Sequence, residues 1–139
     1  MTGARSAIQQ KKPRPQLNRK LAALARGARA EIWAALWLRL KGYKILARRH
    51  RDRFPGAGEI DIIAKKGGVV AFIEVKTRKD AAHALAAITP RQRRRLEKGA
   101  EAFLAARPAL SRLGVRFDAI WLAPGRWPHH MIDAWRQAE

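Results

Sequence analysis

The stretch that decides the fold is residues 58–78, GEIDIIAKKGGVVAFIEVKTR. It contains two runs rich in β-branched and apolar residues, 59–65 and 69–77, which are separated by Gly67 and Gly68. Two such runs joined by a pair of glycines predict a β-hairpin with a tight turn. Counting outward from the turn gives the expected partners, which are Lys66 with Val69, Ile63 with Phe72, Asp61 with Glu74, and Glu59 with Lys76.

This register places two carboxylates opposite each other on one face of the hairpin. Side chains alternate between faces along a strand, so Glu59, Asp61, Glu74 and Lys76 should project from the same side. Like charges at directly opposite positions, with Cβ atoms about 5 Å apart, destabilise a strand pair. Such a pair is retained when a cation lies between the carboxylates or when one of them is protonated. With a lysine on the same face, the pattern predicts a metal-dependent site that cleaves phosphodiesters.

Composition points to a polyanionic partner. The chain has 139 residues, enough for one domain, with 30 Lys and Arg against 11 Asp and Glu and a net charge of +19. Such a charge opposes compaction, and a nucleic acid is the favoured reason to tolerate it, ahead of an anionic membrane surface. Cysteine is absent, which excludes disulfides, thiolate metal sites and cysteine nucleophiles.

Targeting and domain signals favour a single cytoplasmic domain with a tail. No apolar run approaches the about 20 residues of a membrane span, and the basic N-terminus lacks the apolar core of a signal peptide. We expect residues 1–16, rich in Gln, Lys, Arg and Pro, to form a flexible basic arm that either contacts phosphates or keeps the chain soluble. Residues 17–139 should form one α/β domain.

A helix is predicted over residues 17–41, where apolar residues recur at three- and four-residue steps. Gly42 ends it, and Gly27 is compatible with a break or kink. Glu31 is the only acidic residue among the first 51. The residues alone favour an exposed glutamate that pairs with a nearby arginine. The alternative is a third carboxylate directed at the hairpin.

A strand is predicted over residues 43–53, and it ends in a dense basic cluster formed by Arg48, Arg49, Arg51 and Arg53. Arginines on an edge strand can serve only to block aggregation. Given the overall charge, we favour phosphate binding. His50 stands alone in this segment and is a weak candidate for catalysis.

A second long helix is predicted over residues 89–106. Thr89 is the expected N-cap, Pro90 the first helical residue, and Gln92 the partner that completes a capping box. Five cations decorate the first two turns, namely Arg91, Arg93, Arg94, Arg95 and Lys98. Cations at this end oppose the helix macrodipole, so a bound phosphate backbone is favoured over a merely solvated basic face. Residues 79–88 should form a loop with some helical character.

Two further strands are expected over residues 115–122 and 129–135. Asp118 on the first of them is interpreted as a structural partner for an arginine. His129 and His130 are adjacent on the second and should point to opposite sides, which is poor geometry for binding one metal ion.

The motifs GEIDIIA and FIEVKTR, together with ARAE, GYKILARR and TPRQRRRLEKGAEAFL, carry a resemblance over residues 27–135. In this order they resemble the UPF0102 or YraN family and the PD-(D/E)XK nuclease core of the Holliday junction resolvase type. The resemblance implies a restriction-endonuclease-like α/β fold with a mixed central sheet flanked by helices. It also implies that Asp61, Glu74 and Glu31 bind Mg²⁺ or Mn²⁺, with Lys76 acting on the attacking water and Glu59 in support.

The function implied by this resemblance is a metal-dependent, structure-selective DNA endonuclease. The alternative is a protein that keeps the nuclease fold and binds DNA or another nucleic acid without cleaving it. Association with a membrane surface is the least favoured hypothesis. Resolvase-like relatives further imply a homodimer, for which Trp33 and Trp37 could supply an apolar interface. Sequence alone leaves open whether the DNA is branched.

Overall fold

Five strands form one mixed sheet in the order β1-β2-β3-β4-β5. The computed structural model describes residues 15–53 and 55–137. The strands are β1 Lys44–His50, β2 Ile60–Lys66, β3 Val69–Thr77, β4 Gly114–Leu122 and β5 His129–Trp135. The helices are α1 Pro15–Leu40, α2 Ala81–Ala86, α3 Pro90–Ala105 and α4 Pro108–Ser111. The predicted α/β fold with a mixed central sheet flanked by helices is confirmed, and it is compatible with a restriction-endonuclease-like core.

The predicted hairpin is formed by β2 and β3. Lys66 pairs with Val69 and Ile63 with Phe72, as expected from the glycine turn. Gly67 has a φ of 58°, a left-handed conformation that glycine adopts without a steric cost. The antiparallel ladder ends at the pair Ile62 and Ile73, so the two outer pairs expected from the sequence are not formed.

A parallel pair at the centre of the sheet makes its direction mixed. β3 runs parallel to β4, and their pairing begins with Val69 opposite Gly114 and ends with Thr77 opposite Leu122. Parallel neighbours need a long crossover connection, and here α2, α3 and α4 supply it. The apolar run of β3 contributes to the cores on both faces of the sheet, because helices cover each face.

Two apolar cores, one on each face, hold the helices to the sheet. One core joins α1 to the sheet through Ala34, Leu38, Ile62, Ile73 and their neighbours. The other joins α3 to the opposite face and is built from larger side chains, which include Ile63, Leu96, Phe72, Phe103 and Phe117. The sheet is therefore covered on both sides, and the ends of its strands remain open for a site.

Helix α1 runs without interruption from Pro15 to Leu40, so Gly27 causes no break. Its buried residues all lie in the second half, from Ala30 to Leu38, and the first half is exposed. The helix already includes Pro15 and Gln16, which the sequence assigned to the arm. Residues 1–14 lie outside the described part of the chain, and the flexible arm stays a prediction.

The remaining predicted elements are found close to their expected bounds. Helix α3 is capped by Thr89, whose Oγ1 accepts a hydrogen bond from the backbone N–H of Gln92 at 3.2 Å. The ambiguous segment after the hairpin contains α2, which is capped by Asp80. No helix among residues 15–53 and 55–137 has the length and apolarity needed to cross a membrane.

Candidate active site

The candidate site lies where β2 and β3 separate beyond their last ladder pair. Asp61 is directed into this opening, and its Oδ2 accepts a hydrogen bond from the backbone N–H of Val75 at 2.8 Å. The carboxylate thus takes the place of a ladder partner for β3. A side chain that bridges two diverging strands in this way is fixed in position by the backbone, which suits a catalytic group.

Glu31 reaches the same opening from α1. It is only 9 % exposed, so the interpretation of Glu31 as an exposed helix glutamate is wrong. Arg49 on β1 donates a hydrogen bond from its Nε to Glu31 Oε2. The expected pairing of Glu31 with a nearby arginine is therefore present. Arg49 has a φ of 49°, and its ion pair with Glu31 raises the pKa of its guanidinium.

A cluster of three carboxylates is formed by Glu31, Glu59 and Asp61. One oxygen from each lies within 4.8 Å of the others. Glu59 is therefore grouped with two of the three predicted metal ligands, and the third, Glu74, approaches Asp61 from β3. Hard oxygen ligands in such a group suit Mg²⁺ or Mn²⁺.

Glu74 is held at one oxygen and free at the other. Its Oε1 accepts a hydrogen bond from Gln92 Nε2 at 2.7 Å and lies 3.1 Å from Lys76 Nζ. Its Oε2 is buried and has no hydrogen-bond partner in the described part of the chain. Burial raises the pKa of Glu74, and the neighbouring Lys76 opposes that rise. The free oxygen is what a metal ligand would present.

Gln92 contacts the candidate site, although the sequence predicted only a capping role for it. The pattern at the start of α3 predicted that its side chain would complete a capping box. Instead, its amide crosses to Glu74 on β3, and Thr89 alone provides the side-chain cap. In the sequence, Gln92 stands out only as an uncharged polar residue among arginines. Its hydrogen bond to Glu74 is evident only in the folded structure.

Burial and like charge act together on Asp61. Burial raises the pKa of Asp61, and the charge of nearby Glu74 raises it further, to about 8, although the hydrogen bond from Val75 works in the opposite direction. The two carboxylates therefore cannot both ionise at neutral pH without cost. A cation between them would remove that cost.

Two clefts open from Asp61 and Glu74. One, of about 280 Å³, borders α3 and is lined by Arg51, Gln92 and Arg95. The other, of about 370 Å³, borders α1 and the end of β3. Its lining includes Arg26, Gly27, Lys76 and Arg78, of which only Lys76 was predicted from the sequence to be functional.

The predicted nucleic-acid-binding residues are placed in different surroundings. Arg51 and Arg95 line the first cleft, and Arg49 contacts Glu31. Arg93 lies over the ring of Trp135 at 5.7 Å, and its buried Nε has no partner among the described residues, so it packs rather than projects. The others are exposed on the surface, namely Arg48, Arg53, Arg91, Arg94 and Lys98.

Asp118 and the histidines are absent from the linings of the two clefts and make contacts of their own. Arg116 holds both oxygens of Asp118 at 2.8 Å, and His130 Nε2 lies 2.7 Å from Oδ2, so the predicted arginine partner is confirmed. Burial alone would raise the pKa of Asp118, but the hydrogen bonds from His130 and Arg116 lower it. His129 stacks on Trp121, and His50 pairs with Asp52.

Comparison with known proteins places the chain among close relatives. The model of the uncharacterised protein family UPF0102 matches residues 30–122, a range that contains Glu31, Asp61, Glu74 and Lys76. The UPF0102 protein amb4503 of Paramagnetospirillum magneticum is 54 % identical over 116 residues, which cover 83 % of this chain and 90 % of that protein. A UPF0102 protein of Parvibaculum lavamentivorans is 47 % identical over 84 % of this chain and 85 % of its own length. This chain belongs to the UPF0102 family.

Proposed function

We propose that this protein is a Mg²⁺- or Mn²⁺-dependent DNA endonuclease that hydrolyses phosphodiester bonds and selects branched DNA. The observation that carries the proposal is the pair formed by half-buried Asp61 and buried Glu74, with an oxygen on Glu74 that has no partner among the described residues and with Lys76 beside it. Burial and the charge of Glu74 raise the pKa of Asp61 to about 8, so Lys76 beside Glu74 does not offset the cost of ionising both carboxylates. The resemblance to resolvase-type nucleases supports the choice of DNA and of branched substrates.

The donor set fits a hard divalent cation. Asp61, Glu74 and Glu31 would hold the ion, and Glu59, whose carboxylate joins those of Glu31 and Asp61, would support them. When bound, Mg²⁺ or Mn²⁺ supplies charge neutralisation on the phosphoryl oxygens and a lowered pKa for bound water. Only oxygen ligands are present in this cluster, which favours these ions over softer transition metals.

The protein side chains would orient the reactants. Gln92 fixes the Glu74 carboxylate at 2.7 Å, so its free oxygen points in one direction. Lys76 Nζ lies 3.1 Å from the other oxygen of Glu74 and can donate a hydrogen bond to the attacking water or to the scissile phosphate. In the reaction, the water oxygen bonds to phosphorus as one P–O ester bond breaks. One water proton passes to the leaving oxygen, and the other is released.

Cleavage assays test this proposal. The full chain should cut a four-way junction or a flap in Mg²⁺ or Mn²⁺ and should be inactive in EDTA. Asp61→Asn and Glu74→Gln preserve the shape of each side chain and should reduce cleavage to background. Asp133→Asn is the matched control, because Asp133 is an exposed residue of β5 that pairs with Arg136. Asparagine also tolerates the φ of 57° at position 133.

The alternative function is nucleic-acid binding without cleavage. It is favoured by the net charge of +19 and by the ion pair of Glu31 with Arg49, which already neutralises one predicted metal ligand. Absence of cleavage by the wild-type chain on every substrate, or cleavage that survives both substitutions, would reject the nuclease. Tight, salt-sensitive binding without turnover would then identify the protein as a binder.

A further inference from the structure

We propose that the cleft between α1 and the end of β3 binds a phosphodiester strand on one side of the carboxylates. Arg26 and Arg78 would contact its phosphates, and Gly27 would leave room for it against the helix. The inference rests on the proposed function, since it assigns the path that the substrate takes to Asp61 and Glu74. Arg26 and Gly27 lie outside the quoted motifs, and Arg78 is the last residue of FIEVKTR, for which the resemblance implies no role.

Gly27 is the first observation that points to a ligand. Glycine is the poorest helix former except proline, yet α1 continues through this position without a break. Its φ is not in the left-handed region, and an added Cβ would meet no atom within 4 Å. Neither backbone conformation nor packing in the described chain therefore requires glycine here. The space it leaves lies in the wall of the cleft.

The charges around the cleft are the second observation. Arg26 and Arg78 are exposed and lie on opposite walls, one on α1 and the other just after β3. The backbone of Arg78 is fixed, because its N–H donates to the carbonyl oxygen of Leu122 at 3.1 Å. The Arg78 guanidinium donates from Nη1 to the carbonyl oxygen of Thr77 at 2.8 Å and has further N–H groups to offer. Two guanidinium groups in the lining of one cleft suit a chain of phosphates.

Glu74 connects this cleft to the candidate site. Its side chain is 5 % exposed, lines the cleft, and carries the buried oxygen that has no partner in the described residues. Glu74 and Asp61 also line the cleft that contains Arg51 and Arg95. A single strand of the substrate could therefore enter past one pair of arginines, cross the carboxylates and leave past the other pair.

Binding measurements test the role of the arginines independently of cleavage. In EDTA, fluorescence anisotropy would follow the full chain with a labelled DNA oligonucleotide, both single-stranded and as the duplex of the same sequence. Arg26→Gln and Arg78→Gln should each weaken binding severalfold and lower the salt slope by about 0.7 to 0.9. Arg112→Gln, which removes the same charge near the opposite end of β4, should change neither quantity. If the variants lose more affinity for one of the two DNA forms, that form is the one whose strand lies in the cleft.

A second variant tests the space at Gly27. Gly27→Leu should keep or raise the melting temperature, because leucine is a better helix former, and should weaken DNA binding severalfold. Ala25→Leu is the matched control, since Ala25 is exposed on another side of α1 and does not line the cleft. It should leave binding unchanged.

The results also separate this inference from the proposed function. If Gly27→Leu binds like Ala25→Leu, or if both arginine variants bind like Arg112→Gln, the inference is overturned, whatever the cleavage assays give. If these variants bind poorly while the wild-type chain never cleaves, the strand path stands and the nuclease proposal fails.

Discussion

Asp118, which is fully buried, and Asp61, which is half-buried, have pKa values shifted in opposite directions. Asp118 is completely buried, yet Arg116, His130 and the backbone N–H of Asp133 supply enough hydrogen bonds to lower its pKa. Asp61 receives one hydrogen bond from Val75 and faces Glu74, so burial and like charge raise its pKa to about 8. The first carboxylate has hydrogen bonds that satisfy its charge, and the second needs a proton or an external cation in addition to its bond from Val75.

This difference predicts the pH dependence of stability without metal. The usual pKa of Asp is near 3.8, and that of Asp61 in the folded chain is about 8. Between these values the folded state keeps a proton that the unfolded state has lost, so the free energy of unfolding falls as pH rises. The slope from this one group is at most about 1.4 kcal/mol per pH unit. Glu74, whose pKa is also raised, acts in the same direction.

Asp61→Asn measures this contribution. The amide oxygen can still accept from Val75, and the titration is removed. Urea unfolding in EDTA at pH 5 and at pH 8 should show the variant gaining stability relative to the wild type at the higher pH. Parallel pH profiles for the two proteins would contradict the raised pKa of Asp61.

Among the elements, α1 has two halves with different environments. Leu38 in the second half is completely buried against the sheet, whereas Leu21 in the first half is 54 % exposed. The same substitution should therefore have different effects. Leu38→Ala should lower the free energy of unfolding by about 2–5 kcal/mol. Leu21→Ala should change it by less than about 0.5 kcal/mol, as measured by chemical denaturation.

The Leu21 variant also tests the expected homodimer. Exposed apolar side chains continue along α1, from Leu17 and Leu24 to Trp33 and Leu40. A large loss of stability in Leu21→Ala, accompanied by a melting temperature that depends on protein concentration, would show that a second copy covers this face. Without that result, the homodimer stays a prediction.

For the whole molecule, the candidate site joins its major layers. Glu31 comes from α1, Asp61 from β2, Glu74 from β3, and Gln92 from α3, so a bound cation would connect both helical faces to the sheet. Binding to the folded state alone stabilises it by mass action. Because ligating carboxylates must be deprotonated, this stabilisation should grow with pH.

Thermal melts measure that effect. Mg²⁺ or Mn²⁺ should raise the melting temperature of the wild-type chain more at pH 8 than at pH 6, because the pKa of Asp61 is about 8. The increase should be lost in Glu74→Gln and retained in Asp133→Asn, which removes one carboxylate elsewhere. Equal shifts in all three proteins would indicate nonspecific binding of the ion.

Local sequence patterns were enough to predict the hairpin, its register near the turn and most of the helices and strands. These features depend on local chemistry: the glycine pair allows the turn, alternating residues fix the faces, and Thr89 begins α3. The resemblance also identified the family and named Glu31, Asp61, Glu74 and Lys76. Local patterns were sufficient because each of them acts over a few neighbouring residues.

The arrangement of the site depends on contacts between elements that are distant in the chain. The ladder between β2 and β3 ends at Ile62 and Ile73, and beyond it the Asp61 carboxylate accepts from the N–H of Val75, which a register count does not predict. The side chain of Gln92 donates a hydrogen bond to Glu74 instead of completing the predicted capping box. Gly27 lines a cleft and does not break the helix. These contacts join residues distant in the chain, and their energies depend on burial and charge that exist only after the sheet and both helices have packed.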